Sequence, residues 1–413
     1  MITCHRFPAP VRSRSCVARA LVGVLLLCGT ASAQDGAAAP ETAPPHRVGP
    51  FAVTPEITLR DIGVDSNVYN TVDNPVSDVT FTLAPTIDAT ARVRRATVSL
   101  HSTTDVVYFV QQSSERSLNQ SFGAGGQYPF RRMMFGASAS YLNTRERPNE
   151  EIDARSRRIE RSGQASVAVA VAPRLSAQFL GSAAQTAFDA DAAFQGVLLG
   201  DRLNRTTDTL SAAAHYRLTP LTAIVFTATS AATLFERAPE RNGDSRQFLV
   251  GVELQRRALI SGAATLGREN LTPRSGVMPP FAGLVGNGAI LYRLRPTTRI
   301  GIEYDRNLYY SYAEVAPYYI RAGASLVARH EVASRWDLEV SAGRYRHNYR
   351  YLASVEPSAK ADESVISGEV SVTYRAGPRT RVVGAATYQQ RDASAGVTGY
   401  HSLRFGTSVV YGF

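Results

Sequence analysis

Residues 402–413 read SLRFGTSVVYGF, and the alternation within them decides the fold. Leu403, Phe405, Thr407, Val409, Tyr411 and Phe413 fall on one side of an extended chain. Ser402, Arg404, Gly406, Ser408 and Gly412 fall on the other, with Val410 the one exception. A period of two marks a β-strand with one apolar and one small or polar face. The same dyad sets Val79, Phe81, Leu83 and Ile87 against Thr80, Thr82, Thr86 and Asp88. It recurs in Ala165, Val167, Val169 and Val171 against Gln164, Ser166 and Ala168, and in Ile300, Ile302 and Tyr304 against Arg299, Glu303 and Asp305. A soluble sandwich also alternates, but its apolar faces are bulkier and two sheets must fill a core. Here the polar face is mostly Ser, Thr, Gly and Ala with a few charges, which suits a water-filled lumen.

The turns are a second, independent signal. Tight connections recur at residues 92–95, 129–132, 172–174, 219–222, 256–257, 295–298, 332–335 and 376–379, spaced about 37 to 47 residues apart. Each interval holds two strands and one longer polar connection, such as 143–157, 190–204, 270–280 and 350–363. Short turns on one side and long loops on the other are the asymmetry of outer-membrane barrels, the short side facing the periplasm. The expectation is an all-β chain: a single transmembrane antiparallel up-and-down barrel of about 18 strands, with 16 as the alternative because residues 112–129 are indistinct. An even count returns both ends of the barrel to the periplasmic side, and places Phe413 at that interface. Closure itself is required, since an open sheet edge in hydrocarbon strands N–H and C=O groups at a cost of several kcal/mol each. Tyr108, Tyr141, Tyr310, Tyr312 and Tyr318 near loop ends, and Phe130, Tyr216, Tyr292 and Trp336 near turn ends, are expected to form two aromatic girdles.

The start of the chain accounts for delivery. Residues 1–33 carry Arg6, Arg12, Arg14 and Arg19 but no acid, then an apolar run from Ala20 to Cys28, then Ala31-Ser32-Ala33. That pattern is a cleavable signal peptide, and its run is too short to span a bilayer as a helix. Leu27 before Cys28 argues against lipidation, where a small residue belongs. Residues 34–50, rich in Ala, Pro and Gly, read as a flexible periplasmic leader, and 51–413 as the barrel. All three cysteines, Cys4, Cys16 and Cys28, lie in the segment expected to be removed, so no disulfide framework is available. Removing four arginines leaves 41 bases against 35 acids, a formal charge of +6. The single lysine, Lys360, and the scattered arginines argue against a nucleic-acid partner.

Residues 61–69, DIGVDSNVY, followed by Asp78 and by Leu83-Ala-Pro85, resemble the opening of the β-barrel porins linked to exopolysaccharide export. Asp65, Ser66, Asn67 and Tyr69 carry the motif; beyond Pro85 the likeness is one of strand rhythm. The resemblance implies an outer-membrane pore for a nascent polysaccharide, working with a periplasmic polysaccharide export protein. Phe413 in turn resembles the terminal aromatic of the signal read by the barrel-assembly machinery.

No enzyme motif competes with that reading. HExxH, GxSxG and P-loop spacings do not occur, and Gly123 to Gly126 lacks the strand-to-helix context of a phosphate loop. His101 and Asp105 share a face but lie about 13 Å apart, too far for a direct hydrogen bond. The acids of residues 149–153 read as a hydrated extracellular loop in preference to a calcium site. No catalytic residue, metal ligand or cofactor site is assigned.

Function is therefore sought in the lumen. Arg293, Arg299 and Arg321 fall on consecutive strands, either as a basic ladder for an anionic sugar chain or neutralised by Glu303 and Asp305. Tyr309 and Tyr319 point inward on the same wall, either sliding against sugar rings or packing a loop at the mouth. The rival to polysaccharide secretion is a general or substrate-selective diffusion porin; a structural or adhesive surface barrel is the third reading. Connections of only about 15 to 17 residues favour a wider or otherwise gated pore over one narrowed by a long in-folded loop.

Overall fold

The computed structural model describes residues 46–71, 73–255, 258–355, 362–393 and 399–413. The expected signal peptide, most of the leader, the tip of the 256–257 turn and part of the 350–363 connection lie outside the described residues. A short β1, His46–Val48, folds back on the start of β2, Phe51–Asp65, so pairing begins inside the stretch expected as leader. Next come β3 Asp78–Val93, β4 Ala96–Phe109, β5 Ser117–Phe130, β6 Met133–Thr144, β7 Arg158–Ala172 and β8 Leu175–Phe188. A small hairpin, β9 Ala193–Phe194 and β10 Val197–Leu198, and a helix, α1 Leu199–Leu203, occupy the following connection. The second half holds β11 Arg205–Thr219, β12 Thr222–Phe235, β13 Gly243–Leu254, β14 Ile260–Pro273, β15 Phe281–Arg295 and β16 Thr298–Tyr310. It ends with β17 Tyr318–Ala333, β18 Trp336–Arg350, β19 Asp362–Arg375, β20 Thr380–Ala393 and β21 Tyr400–Gly412.

Eighteen of these strands, β2 to β8 and β11 to β21, pair antiparallel with their chain neighbours, and β21 pairs with β2 to close the ring. The count is 18, not 16. All eight short connections lie at one end, where Arg94 and Arg131 take positive φ (55° and 54°) to turn a hairpin in two residues. The Phe413 N–H donates to the Pro55 carbonyl at 3.2 Å at this same end, as its predicted topology requires.

Parity sorts the side chains. Leu210, Phe226, Phe248, Leu266, Leu284 and Ile302, one from each of six successive strands, are all more than half exposed on the outer face. Water would not tolerate so continuous an apolar belt; lipid requires it. In β2 the register shifts between Leu59 and Ile62, around Asp61 at φ 55°. This bulge moves the outward set from Ile57 and Leu59 to Ile62 and Val64, and so turns Asp65 into the lumen, where it is buried. Trp336 lies tilted against Tyr374 near the turn end, and Tyr108 stacks on Phe81 and Tyr141 sits beside Phe122 near the loop end, as girdles demand.

Three tyrosines depart from that expectation. β15 begins at Phe281, yet its ladder to β16 starts only where Gly286 faces Arg306, while β16 and β17 stay paired up to Tyr310 and Tyr318. The upper hairpin has left β15 and leans across the lumen. Its outward-parity side chains Leu308, Tyr310, Tyr318 and Ile320 pack on Leu249, Leu271, Phe281 and Val285 from the inner wall. Tyr310 and Tyr318 therefore bury apolar surface inside the barrel instead of facing lipid. Tyr312, in the tip, meets Phe194 edge-on and packs with Ile152, Phe188 and Leu199.

Candidate functional site

Residues 145–157 join β6 to β7, and β6 stands nine strands from β17 round an 18-strand ring. Even so, Glu150 on this connection grips Arg321 of β17 through two hydrogen bonds, 3.0 and 2.9 Å. The connection thus crosses the barrel to meet the inward-leaning hairpin. Expected as a hydrated extracellular loop, it holds Glu151 and Ile152 buried and the Glu150 side chain nearly so; a 13-residue connection proves long enough to constrict the mouth because the hairpin comes to meet it.

Charge complementarity explains the docking. Arg321, His347 and Glu363 share one rung of β17, β18 and β19, and Arg391 sits on β20 beside them. His347 bonds Glu150 at 3.1 Å and faces Glu363 at 3.4 Å, and Arg391 pairs with Glu363 at 2.7 Å. Arg391 also donates to the Glu151 carbonyl, and Ser311 at the hairpin tip donates to the Glu151 carboxylate. From the other side Arg241 donates to the carbonyls of Ser311 and Ala313. Burial opposes the Glu150 charge, but hydrogen bonds from His347 and Arg321 overcome it and hold the carboxyl down at about 2. Glu151 shows the reverse: burial pushes its carboxyl up to about 7, the Ser311 hydrogen bond opposes this, and nearby Glu363 adds to it. Neighbouring carboxyls in one loop are thus split by their surroundings.

The residues of the opening motif anchor this loop. Asp65 pairs with Arg404 at 3.0 Å and Arg155 at 3.8 Å, and accepts the Asn67 N–H. Ser66 accepts the Leu403 N–H and Asn67 donates to the His401 carbonyl, binding the segment over the β2–β21 seam; Tyr69 donates to Gln112. The Val68 carbonyl then accepts from both Arg147 and Arg155 of the crossing loop, at 2.8 and 3.2 Å.

The lumen candidates separate into two groups. Asp305, Tyr309, Tyr319 and Arg321 converge at the mouth: Arg321 meets Asp305 at 3.0 Å, Tyr309 donates to Asp305, and the Tyr309 and Tyr319 rings stack at 5.8 Å. Tyr319 also lies against His347 and Tyr349 and is buried, so these rings pack the constriction and present no open face to a sugar. Arg293 and Arg299 stay near the turn end, where Arg299 faces Arg293 on one side and Arg329 on the other. The basic ladder therefore runs through Arg329, while Arg321 belongs to the mouth. Glu303 lies between the groups and pairs with none of these arginines among the described residues. His101 bonds Asp88 across the β3–β4 ladder, and Asp105 pairs with Arg60.

Ser311, His347, Glu363 and Arg391 carry no assignment in the sequence, and Glu150 and Glu151 are read there only as acids of a hydrated loop. Parity places His347, Glu363 and Arg391 on the lumen face, and that signal was available. The partnership with a loop nine strands away was not.

An 18-stranded closed barrel with a lipid-facing apolar belt, a charged lumen and an in-folded loop defines an outer-membrane β-barrel porin. The chain belongs to the family described as "Putative beta-barrel porin 2", whose model matches residues 41–413. No curated protein matches it in sequence. Among solved structures it is similar to OpdK of Pseudomonas aeruginosa (10% identity, TM-score 0.49, 87% of this chain and 98% of that one). It is also similar to OccAB3 of Acinetobacter baumannii (9%, 0.48, 87% and 99%) and to a structure described as a bacterial polysaccharide outer membrane secretin (9%, 0.38, 87% and 98%). None of these similarities bears on what passes through the pore.

Proposed function

We propose that this porin is a selective diffusion channel for small polar solutes, with anions favoured. The observation that carries the reading is the crossing of the mouth by residues 145–157, gripped at Glu150 by Arg321 and His347. A loop and a hairpin tip that meet across the diameter narrow the mouth, which favours solutes over a polymer threaded with its hydration. Below the constriction Arg293 and Arg299 have no carboxylate at ion-pair distance among the described residues, and such unneutralised charge biases a pore toward anions. Passage is passive, and no cofactor enters it.

The second reading is secretion of a nascent exopolysaccharide together with a periplasmic polysaccharide export protein. The likeness of Asp65 to Tyr69 to the exopolysaccharide-linked porins favours it. It requires the crossing loop to swing out during transport, and the motif's contacts to Arg147 and Arg155 would then be the hinge side of that movement.

Liposome swelling with a graded series of neutral sugars, and reversal potentials in a salt gradient, test the first reading. The expected outcome is passage of mono- and disaccharides, exclusion of long oligosaccharides, and an anion-selective potential that falls when Arg293 and Arg299 are both changed to Ala. Unhindered passage of long oligosaccharides, or loss of exopolysaccharide secretion in a deletion strain, would replace it with the second.

A further inference from the structure

We propose that the outer face of β14 to β18, at the loop end, binds the phosphorylated headgroup of a glycolipid in the outer leaflet. The apolar outward rows end together on this side of the barrel: Leu266 gives way to Arg268, Tyr304 to Arg306, and Ala342 to Arg344 and Arg346. All four arginines have outward parity, and Arg344 and Arg346 are exposed. Register gathers them. Arg306 and Arg346 both flank Ala322 on one rung, Tyr304 and Arg344 flank Ala324 on the next, and Arg268 faces Leu284, whose carbonyl accepts the Arg306 Nε–H at 3.0 Å. Strand spacing puts Arg306 and Arg346 about 10 Å apart across a floor of two alanines. Small side chains there leave a shallow trough with a guanidinium on either bank.

Two features separate this patch from arginines that merely reach for water. The first is charge: Arg268, Arg306, Arg344 and Arg346 form no ion pair among the described residues, and Arg344 and Arg346 form no hydrogen bond either. On the opposite half of the barrel the rim arginines are engaged, Arg116 over the Tyr108 ring at 4.1 Å and Arg161 over the Tyr141 ring at 6.0 Å. The second is depth. An outward arginine is costly at the bilayer midplane and nearly free of cost at the interface. The patch sits one residue pair above the apolar belt, at the height of the headgroups. Guanidinium groups take phosphate oxygens in a bidentate fork, and an array spaced across two rungs suits a headgroup carrying more than one phosphate. This site lies on the outside of the wall, so it stands independently of what the pore conducts.

The test is binding of bisphosphorylated lipid A to the purified porin in detergent, read by native mass spectrometry, with folding verified by heat-modifiable gel mobility. Wild type is expected to hold lipid A about tenfold more tightly than R344A/R346A, while R161A on the far rim binds like wild type. R344K/R346K, which keeps the charge but not the fork, is expected to fall between. Without any variant, removing both phosphates from the lipid should weaken binding to wild type, and inorganic phosphate at the same concentration should not compete. Equal loss in R161A and R344A/R346A, undiminished binding of the phosphate-free lipid, or full competition by inorganic phosphate would overturn the proposal.

Discussion

The two ends of this barrel obey different rules. At the turn end strand parity sorts the side chains, apolar outward and polar inward with Val410 an exception, connections are as short as two residues, and Phe413 is locked beside Pro55. At the loop end parity still holds along each strand, but on the β16–β17 hairpin beyond Arg306 and Ala322 it no longer tells inside from outside. Strands of 12 to 16 residues exceed the roughly 9 to 11 that a bilayer needs, so their upper ends stand clear of hydrocarbon. Released from lipid, the β16–β17 hairpin turns its greasy face against the inner wall, and its tip meets a charged loop from across the lumen. The wall is stabilised by its closed ladder and by lipid. The constriction is stabilised by buried ion pairs whose partners come from far apart in the chain.

The sharpest way to break the comparison is to injure the wall and the constriction separately. Gly63 lies where β2 meets β21, and a Cβ there would come within 1.8 Å of the Phe405 carbonyl oxygen. Gly63→Val is expected to prevent closure of the seam, with loss of the heat-modifiable folded band; a normal folded yield would show that the seam tolerates displacement. Arg321→Ala removes the bidentate partner of Glu150 and leaves a buried carboxylate to His347 alone. Losing one side of such a pair costs about 3 to 5 kcal/mol, charged here to loop docking and not to the barrel. Planar-bilayer recordings should show conductance rising several-fold while gel mobility stays unchanged. If the barrel unfolds instead, the two ends are not energetically separate.

A smaller effect comes from pH. Glu151 titrates at about 7 in the docked loop against an ordinary 4.5, so its protonated form favours docking: that contribution is full below pH 4.5 and is lost as pH rises through 7. Glu150, held at about 2, contributes in the opposite sense, fully above pH 4.5 and lost only as pH falls toward 2. Docking is thus strongest near pH 4.5 and weakens as pH rises toward 7, so mean conductance should rise from pH 6 to pH 8. Glu151→Gln, which keeps the Ser311 contact without titrating, should reduce that rise and leave the part owed to His347, whose burial lowers its pKa less than the Glu150 and Glu363 hydrogen bonds raise it. The smallest change is Ser311→Ala, worth about 2 kcal/mol through the two hydrogen bonds of its hydroxyl, to Glu151 and from the Ala313 N–H, and visible as shorter dwell times in the constricted state.

This division also explains what was legible in sequence. Strand number, turn positions, the apolar belt and the place of Phe413 all follow from period-two patterning and hairpin connections, which are local. The bulge at Asp61 was harder: without it, parity would send Asp65 to the lipid face, and only positive φ at a non-glycine residue restores it to the lumen. The sequence pattern puts Tyr310, Tyr312 and Tyr318 in a girdle because an aromatic at a strand end looks the same whether it meets headgroups or the opposite wall. The acids of the crossing loop looked hydrated for the same reason, since their partners Arg321, His347, Ser311 and Arg391 are separated from them by at least 160 residues.

Single-channel conductance of the full barrel, compared with that of a chain lacking residues 148–154, tests the central claim most directly. The deletion leaves β6 and β7 intact and removes Glu150, Glu151 and Ile152 from the mouth. A several-fold larger and steadier conductance is expected, with the pH dependence gone; an unchanged conductance would contradict the assignment of this loop as the constriction.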